Sequence, residues 1–96
     1  MNAASRDEMI GRIYRSKATD RQRLAFINSE LSGIAGLLKK ASSQLECLLA
    51  NERSELYSVL SQLNISGTLQ LLAEREQLTH NIETADEELR RLRAPG

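Results

Sequence analysis

The side chains that could carry out chemistry are few in this sequence, and their types do not complete a site. His80 is the single histidine and Cys47 the single cysteine. A nucleophilic cysteine needs a base beside it, and a zinc site needs several His or Cys ligands. We therefore expect His80 to be a solvated surface residue and Cys47 to be a small packing residue. With no Gly-rich phosphate loop either, the sequence predicts a protein that is not an enzyme and that uses no cofactor or metal.

Charged residues offer binding chemistry instead. Thirteen Lys and Arg balance thirteen Asp and Glu, so the net charge is zero. Residues 1–23 nevertheless carry six basic and three acidic residues (+3), and residues 64–96 carry four basic and six acidic residues (−2). We expect these charges to form solvated helix faces, with docking to an oppositely charged partner as the alternative. The candidate contacts are Arg12, Arg15, Arg21, Glu83, Glu87 and Glu88.

The elements that position these side chains are organised around one heptad stripe. Apolar residues recur at alternating spacings of three and four, which is the pattern by which helices pack lengthwise on one another. We interpret the stripe as an assembly seam. Its members are Leu24, Ile27, Leu31, Ile34, Leu38, Ala41, Leu45 and Leu48.

Composition points to the same architecture. The 96 residues are 41% hydrophobic and only 3% aromatic, with no Trp and one Pro, and they show no strand-like alternation. A chain of this length forms one domain at most. The sequence predicts an all-α fold, an elongated coiled-coil helical hairpin that is completed by intermolecular helix packing.

Capping signals predict how the hairpin is divided. Thr19 begins a capping box and favours a break at 17–19, although the heptad phase also allows one long helix through a polar interruption. Gly33 and Gly36 could end the main helix, but the heptad continues through them, which favours a continuous helix with a small-residue patch for a neighbouring helix. The predicted segments are a short basic amphipathic helix in 1–18, a long helix in 19–63, a turn in 64–67, a return helix in 68–93 and a tail in 94–96.

A turn at 64–67 would fold the return helix back antiparallel on the main helix. That register places Leu92 opposite Lys40, so the stretch from Leu24 to Leu38 would have no partner in its own chain. Leaving large aliphatic side chains in water forgoes ~1.5–3 kcal/mol each, which predicts that other helices cover them. The residues expected to pack the hairpin are Leu49, Leu56, Leu60, Leu63, Leu71, Leu78, Ile82, Ala85, Leu89 and Leu92.

The leading functional hypothesis is a structural or adaptor subunit whose partners are protein helices, from copies of itself or from other coiled-coil subunits. Two alternatives stay open. One is a dimeric nucleic-acid-associated regulator that uses the basic arm 6–23, which the neutral total charge disfavours. The other is a peripheral membrane or vesicle adaptor, which the short apolar stripe in 1–18 disfavours. The lone cysteine and the lack of a signal-like apolar run predict an intracellular, soluble protein, cytoplasmic or nuclear.

Overall fold

The computed structural model describes residues 3–93, which form three helices and no strand. They are α1 (Ala3–Leu49), α2 (Leu56–Ser61) and α3 (Ile65–Arg93). The predicted all-α helical hairpin is therefore confirmed, although several predicted helix bounds are wrong. The predicted tail 94–96 lies outside the described residues.

Helix α1 is continuous through the predicted break at 17–19, so a separate short helix in 1–18 is wrong. Thr19 does not cap a new helix, because its hydroxyl donates to the Arg15 carbonyl oxygen one turn back (3.1 Å). Lys17 occupies the heptad stripe, where its ammonium group is hydrogen-bonded to the carboxylate of Asp86. An ion pair thus accommodates the polar interruption, and the helix has no need to end there.

Gly33 and Gly36 also lie inside α1, as the unbroken heptad predicted. A Cβ atom built at either glycine would meet nothing within 4 Å. Within residues 3–93, no other helix therefore approaches closely at these two positions. The neighbouring helix predicted for the small-residue patch is not found among the described residues.

Helix α1 ends at Leu49, so the predicted long helix over 19–63 is wrong. Asn51 has φ 59°, the left-handed conformation that Asn tolerates better than most residues. The amide of Asn51 donates to the Leu48 carbonyl (3.1 Å) and that of Glu52 to the Cys47 carbonyl (2.9 Å). This pair of bonds is a Schellman motif, which satisfies the last carbonyl groups of a helix and reverses the chain.

The segment that follows is held against α1 by Gln44. The Ser54 hydroxyl donates to the Gln44 carbonyl oxygen, and the Gln44 side-chain oxygen accepts the Glu55 amide, both at 2.7 Å. The Ser54 hydroxyl oxygen also accepts the amide of Leu56 at the start of α2 (3.1 Å). The chain therefore turns back in residues 50–55, and the predicted turn at 64–67 is wrong.

Helix α3 begins at Ile65 rather than at the predicted residue 68. Asn64 caps it, because its side-chain oxygen accepts the amide of Gly67 (2.9 Å). The Thr68 hydroxyl, at the predicted start of the helix, donates to the Asn64 carbonyl oxygen (2.7 Å). Asn is among the best N-cap residues, and its effect here is to start the helix one turn early.

The described chain divides into two compact units, which we call the terminal unit (residues up to Phe26 and from Ala73 onward) and the central unit (Ile27–Leu72). In the terminal unit the first part of α1 packs antiparallel on α3. Leu78 and Leu89 are buried there. Three cross-helix pairs set the register: Arg23 with Glu74, Lys17 with Asp86, and Tyr14 with Arg93.

In the central unit the second part of α1 faces α2 and the start of α3. Ile27, Ala41 and Val59 are buried, with Ile27 entirely inaccessible to solvent. The expectation that Leu24–Leu38 lacks a partner in its own chain is therefore wrong for the inward-facing positions. The register explains why: Leu92, which should lie opposite Lys40, instead lines a groove with Met9 in the terminal unit.

Candidate association surface

Large hydrophobic side chains that remain exposed are concentrated in the central unit. Twelve such side chains are exposed among the described residues, and all but Met9, Tyr14 and Phe26 belong to residues 27–72. We call the other nine the central apolar surface. They are Leu38, Leu45, Leu48, Leu49, Tyr57, Leu60, Ile65, Leu69 and Leu72.

The spacing of these residues forms a stripe on each helix. On α1, Leu38, Leu45 and Leu49 follow one another at seven and four residues. On α3, Ile65 and Leu69 are four residues apart, and Leu69 and Leu72 are three apart. On α2, Tyr57 and Leu60 are three residues apart. Residues three, four or seven apart lie on one face of a helix. Each of the three helices therefore presents a separate apolar face in addition to the one it buries.

Helical geometry places the stripes of α1 and α3 on the same side of the pair. An open groove of about 680 Å³ lined by Ile34 of α1 and Leu71 of α3 marks where the two helices face each other. At 3.6 residues per turn, Leu38 lies about 40° beyond Ile34, and Leu72 lies about 100° beyond Leu71. Both rotations are in the direction of rising residue number, each around its own right-handed helix. Because the helices run antiparallel, the two stripes project to the same side.

The segment that supplies most of this surface carries no charge. From Leu56 to Ala73 there is no Asp, Glu, Lys, Arg or His. Depletion of charged residues with aromatic and aliphatic enrichment is the compositional mark of an interface core. Tyr57 is 90% exposed, Ile65 72% and Leu69 62%. These side chains contribute little to the stability of the unit, and their apolar character is unexplained by the fold alone.

The predicted seam is divided between the interior and the surface. Ile27 and Ala41 are buried, and Leu24, Leu31 and Ile34 are half-buried. Beyond Ile34, Ala41 still faces inward, but the other inward positions lie one residue before the seam, at Leu37, Gln44 and Cys47. As a result Leu38, Leu45 and Leu48 of the seam belong to the central apolar surface.

The residues predicted to pack the hairpin are also divided. Leu78 and Leu89 are buried, whereas Leu49 and Leu60 are exposed and belong to the central apolar surface. The others are half-buried: Leu56, Leu63, Leu71, Ile82, Ala85 and Leu92.

Ion pairs order the terminal unit. The Arg23 guanidinium donates two hydrogen bonds to the carboxylate of Glu74 (2.7 and 2.9 Å), which lowers the pKa of Glu74 and raises that of Arg23. The hydrogen bond from Lys17 lowers the pKa of Asp86, and the nearby charges of Arg21 and Arg90 act in the same direction. Only 13% of the Lys17 side chain is exposed. A polar pair at one position of an apolar stripe fixes the register of packed helices.

The remaining candidate charge contacts lie on the surface. Arg12 pairs with Glu8 at 3.9 Å, a weak exposed interaction between neighbouring helical turns. Arg15, Glu83 and Glu87 are exposed, and Glu88 is exposed at the edge of two shallow grooves. None of these side chains is drawn into a cluster with a common target. Their arrangement is that of a solvated helix face.

The two chemically reactive side chains belong to different units. His80 is exposed in the terminal unit, in an open groove of about 430 Å³ that Asp20 and Glu88 also line. Cys47 is a half-buried free thiol in the central unit. Within residues 3–93, no three His, Cys, Asp or Glu side chains come together in a group that could hold a metal ion.

Comparison with known proteins adds no assignment. No family model, no curated protein and no solved structure matches the chain. None of the described helices is long and apolar enough to cross a membrane.

Sequence reasoning did not identify three side chains that set the helix bounds in the central unit, nor the partner of Lys17 in the terminal unit. Asn51 ends α1, Gln44 holds the turn, Asn64 starts α3, and Asp86 receives Lys17. The apolar heptad stops after Leu48, because the next heptad position is occupied by Glu52, and this was a signal for the end of α1. The cross-helix ion pair had no local signal, because its two residues are 69 positions apart.

Proposed function

We propose that this chain is a non-enzymatic helical association module, a structural or adaptor subunit that binds protein helices through the central apolar surface. The observation that carries the proposal is the set of nine exposed large hydrophobic side chains within residues 27–72. The largest apolar patch on a typical monomer is about 300–600 Å². The six members in the stripes of α1 and α3, which project to one side of the helix pair, are 44–75% exposed. At on the order of 100 Å² each they reach the upper end of that range, which favours a surface that is covered in use.

The proposal changes which part of the predicted seam takes part in association. Leu24, Ile27 and Ile34 point inward in the isolated chain and help to hold it together. Leu38 and Leu45 remain available, and α2 and α3 supply the rest of the surface. Assembly then requires no unfolding of the hairpin.

The nucleic-acid alternative receives no support from the basic arm. Lys17 and Arg23 are engaged by Asp86 and Glu74, and Arg12 has Glu8 nearby. Phosphate binding gains its free energy from unpaired cations that release counterions. Cations already paired with carboxylates gain less, so the arm is better suited to fixing the helices than to holding a nucleic acid.

The test is photocrosslinking inside cells that express the chain. A photoreactive amino acid replaces Tyr57, the most exposed member of the surface, and in a matched control it replaces the exposed Glu76 of the terminal unit. We expect adducts with protein from position 57 and none from position 76. Adding Leu69→Ser should remove the adducts at position 57. Adducts with lipid alone, or no adducts at either position, would contradict the proposal.

A further inference from the structure

We infer that the central apolar surface is covered by a second copy of this chain in a two-fold symmetric dimer. The inference rests on the proposed function and names the partner. In such a dimer the same patch contacts itself, so every residue of the patch must tolerate a copy of the patch as its neighbour. The area of the surface meets that requirement, as do the absence of charge and the kinds of polar group in its stretch from Leu56 to Ala73.

The area agrees with a dimer of ordinary size. At on the order of 100 Å² each, the six side chains in the stripes of α1 and α3 present roughly 600 Å² on one side of the helix pair, and one partner in a standard stable interface contributes about 800 Å². The four most exposed members of the surface are Tyr57, Leu49, Ile65 and Leu69, at 90, 75, 72 and 62%. A single helix lying along one stripe would leave the other in water, whereas a copy of the helix pair covers the stripes of both α1 and α3.

The charge pattern favours a self-complementary contact. A charged residue near a two-fold axis would meet its own kind, which is destabilising. The stretch from Leu56 to Ala73 has no charged residue to repel its copy, and equally none to select a different chain by opposite charge. Register and partner choice between different chains are commonly set by such flanking charges.

The polar residues of the same stretch are able to pair with themselves. Gln62, Ser66 and Gln70 are exposed between the apolar positions. Hydroxyl and amide side chains each contain both a donor and an acceptor, so two identical ones can hydrogen-bond. A carboxylate or an ammonium group lacks that property. These three polar residues therefore fit a copy of the same stretch as well as its apolar residues do.

A lipid surface fits these observations less well. Interfacial helices generally carry Lys or Arg on the polar face, which attract anionic headgroups. The nearest basic side chain before this stretch is Arg53 and the nearest after it is Arg75, both outside it. Vesicle binding is accordingly one of the outcomes that the test distinguishes.

The experiment measures the mass of the purified chain by light scattering and sedimentation over a concentration series, in reductant so that Cys47 forms no disulfide. We expect a dimer whose dissociation constant rises at least tenfold in the Tyr57→Ser, Leu69→Ser double variant. Phe26→Ser, which changes a 49% exposed side chain in the terminal unit, should leave it unchanged. Because both altered side chains are largely exposed, we expect circular dichroism to show intact helices.

A second measurement needs no variant. Hydrogen exchange of the wild-type chain should slow with rising concentration in residues 56–73 and stay constant in residues 3–26. A monomer at all concentrations, a dimer that survives the double variant, or concentration-independent exchange would overturn the inference. A monomer that binds vesicles of phosphatidylcholine and phosphatidylserine would overturn it too.

The two proposals fail in different ways. A monomeric chain that still yields protein adducts at position 57 in cells overturns the dimer and leaves the association module standing. A chain that gives neither a dimer nor protein adducts overturns both.

Discussion

Replacing Gly33 and Gly36 with alanine should stabilise the protein. Both glycines lie in the interior of α1, and a Cβ atom added at either would meet nothing within 4 Å. Glycine costs a helix interior backbone entropy that alanine does not. The substitution therefore removes that cost without introducing a clash.

The expected gain follows from the helix propensities. Each exchange is worth ~1 kcal/mol, so Gly33→Ala with Gly36→Ala should raise the free energy of unfolding by ~2 kcal/mol. In a domain of 60–100 residues, 1 kcal/mol changes the melting temperature by ~4–8 °C, so the double variant should melt ~8–16 °C higher. For a domain with a total stability of ~5–15 kcal/mol, that is a large increase.

The same exchange at Gly67 provides a matched control with the opposite expectation. A Cβ atom there would lie 2.7 Å from the side-chain nitrogen of Asn64, the residue that caps α3. Losing a cap costs ~1 kcal/mol, which cancels the gain from alanine. We expect Gly67→Ala to leave the melting temperature unchanged or lower it.

The assay is thermal and urea unfolding followed by circular dichroism at several protein concentrations. An unchanged or lower melting temperature for the Gly33, Gly36 double variant would refute the reasoning, since it would require a neighbour that the chain itself does not supply. An equal gain at Gly67 would refute the role assigned to the Asn64 cap.

Three further outcomes follow from the packing, the turn and the ion pairs. Ile27→Ala should lower the free energy of unfolding in urea by ~2–5 kcal/mol because Ile27 is fully buried; an equal loss in Phe26→Ala, which alters a half-exposed side chain, would contradict this. Asn51→Val should destabilise by ~1–3 kcal/mol because a β-branched residue is strained at φ 59°; Asn51→Gly should be near neutral, and equal effects would contradict the left-handed cap. Hydrogen bonds hold the pKa values of Asp86 and Glu74 below their usual range. The stability these groups contribute is therefore complete above about pH 4.5 and is lost as the pH falls through their lower folded-state pKa values. The melting temperature of the wild-type chain should fall more steeply on acidification than that of Asp86→Asn, and parallel profiles would show that the pair is not linked to folding.

The heptad phase identified the inward-facing positions over the first two thirds of α1. From Ile10 to Ile34 every position in that phase is buried or half-buried, including Lys17 and Asp20. Periodicity predicts this because it reports which face of a helix meets a neighbour. Beyond Ile34 the prediction holds at Ala41 and is wrong by one residue elsewhere, as at Leu38, where Leu37 faces inward instead. The heptad alone does not identify the neighbour, and here α2 replaces the expected long return helix.

The turn could not be chosen from local signals alone. Asn51 and Asn64 both suit a chain reversal, and Asn64 with Gly67 forms the more conspicuous pair in the sequence. The choice is made by contacts across the turn, in which the backbone and side chain of Gln44 hold Ser54 and Glu55. Local capping preferences of ~1 kcal/mol cannot decide between sites that such contacts distinguish. The exposed stripe on α3 could not be predicted either, because the register of α3 against α1 determines which face of α3 turns inward.

The position of the turn sets the order in which the chain can close. Contacts between Gln44 and Ser54 or Glu55 span 10 and 11 residues, whereas Arg23 with Glu74 spans 51 and Lys17 with Asp86 spans 69. Closing the longest of these loops from an open chain costs roughly 2 kcal/mol more than closing the shortest. Folding that starts at Asn51 and proceeds outward meets only short loops, because each new contact extends one already made. The polar pairs near the chain ends then form last and open first.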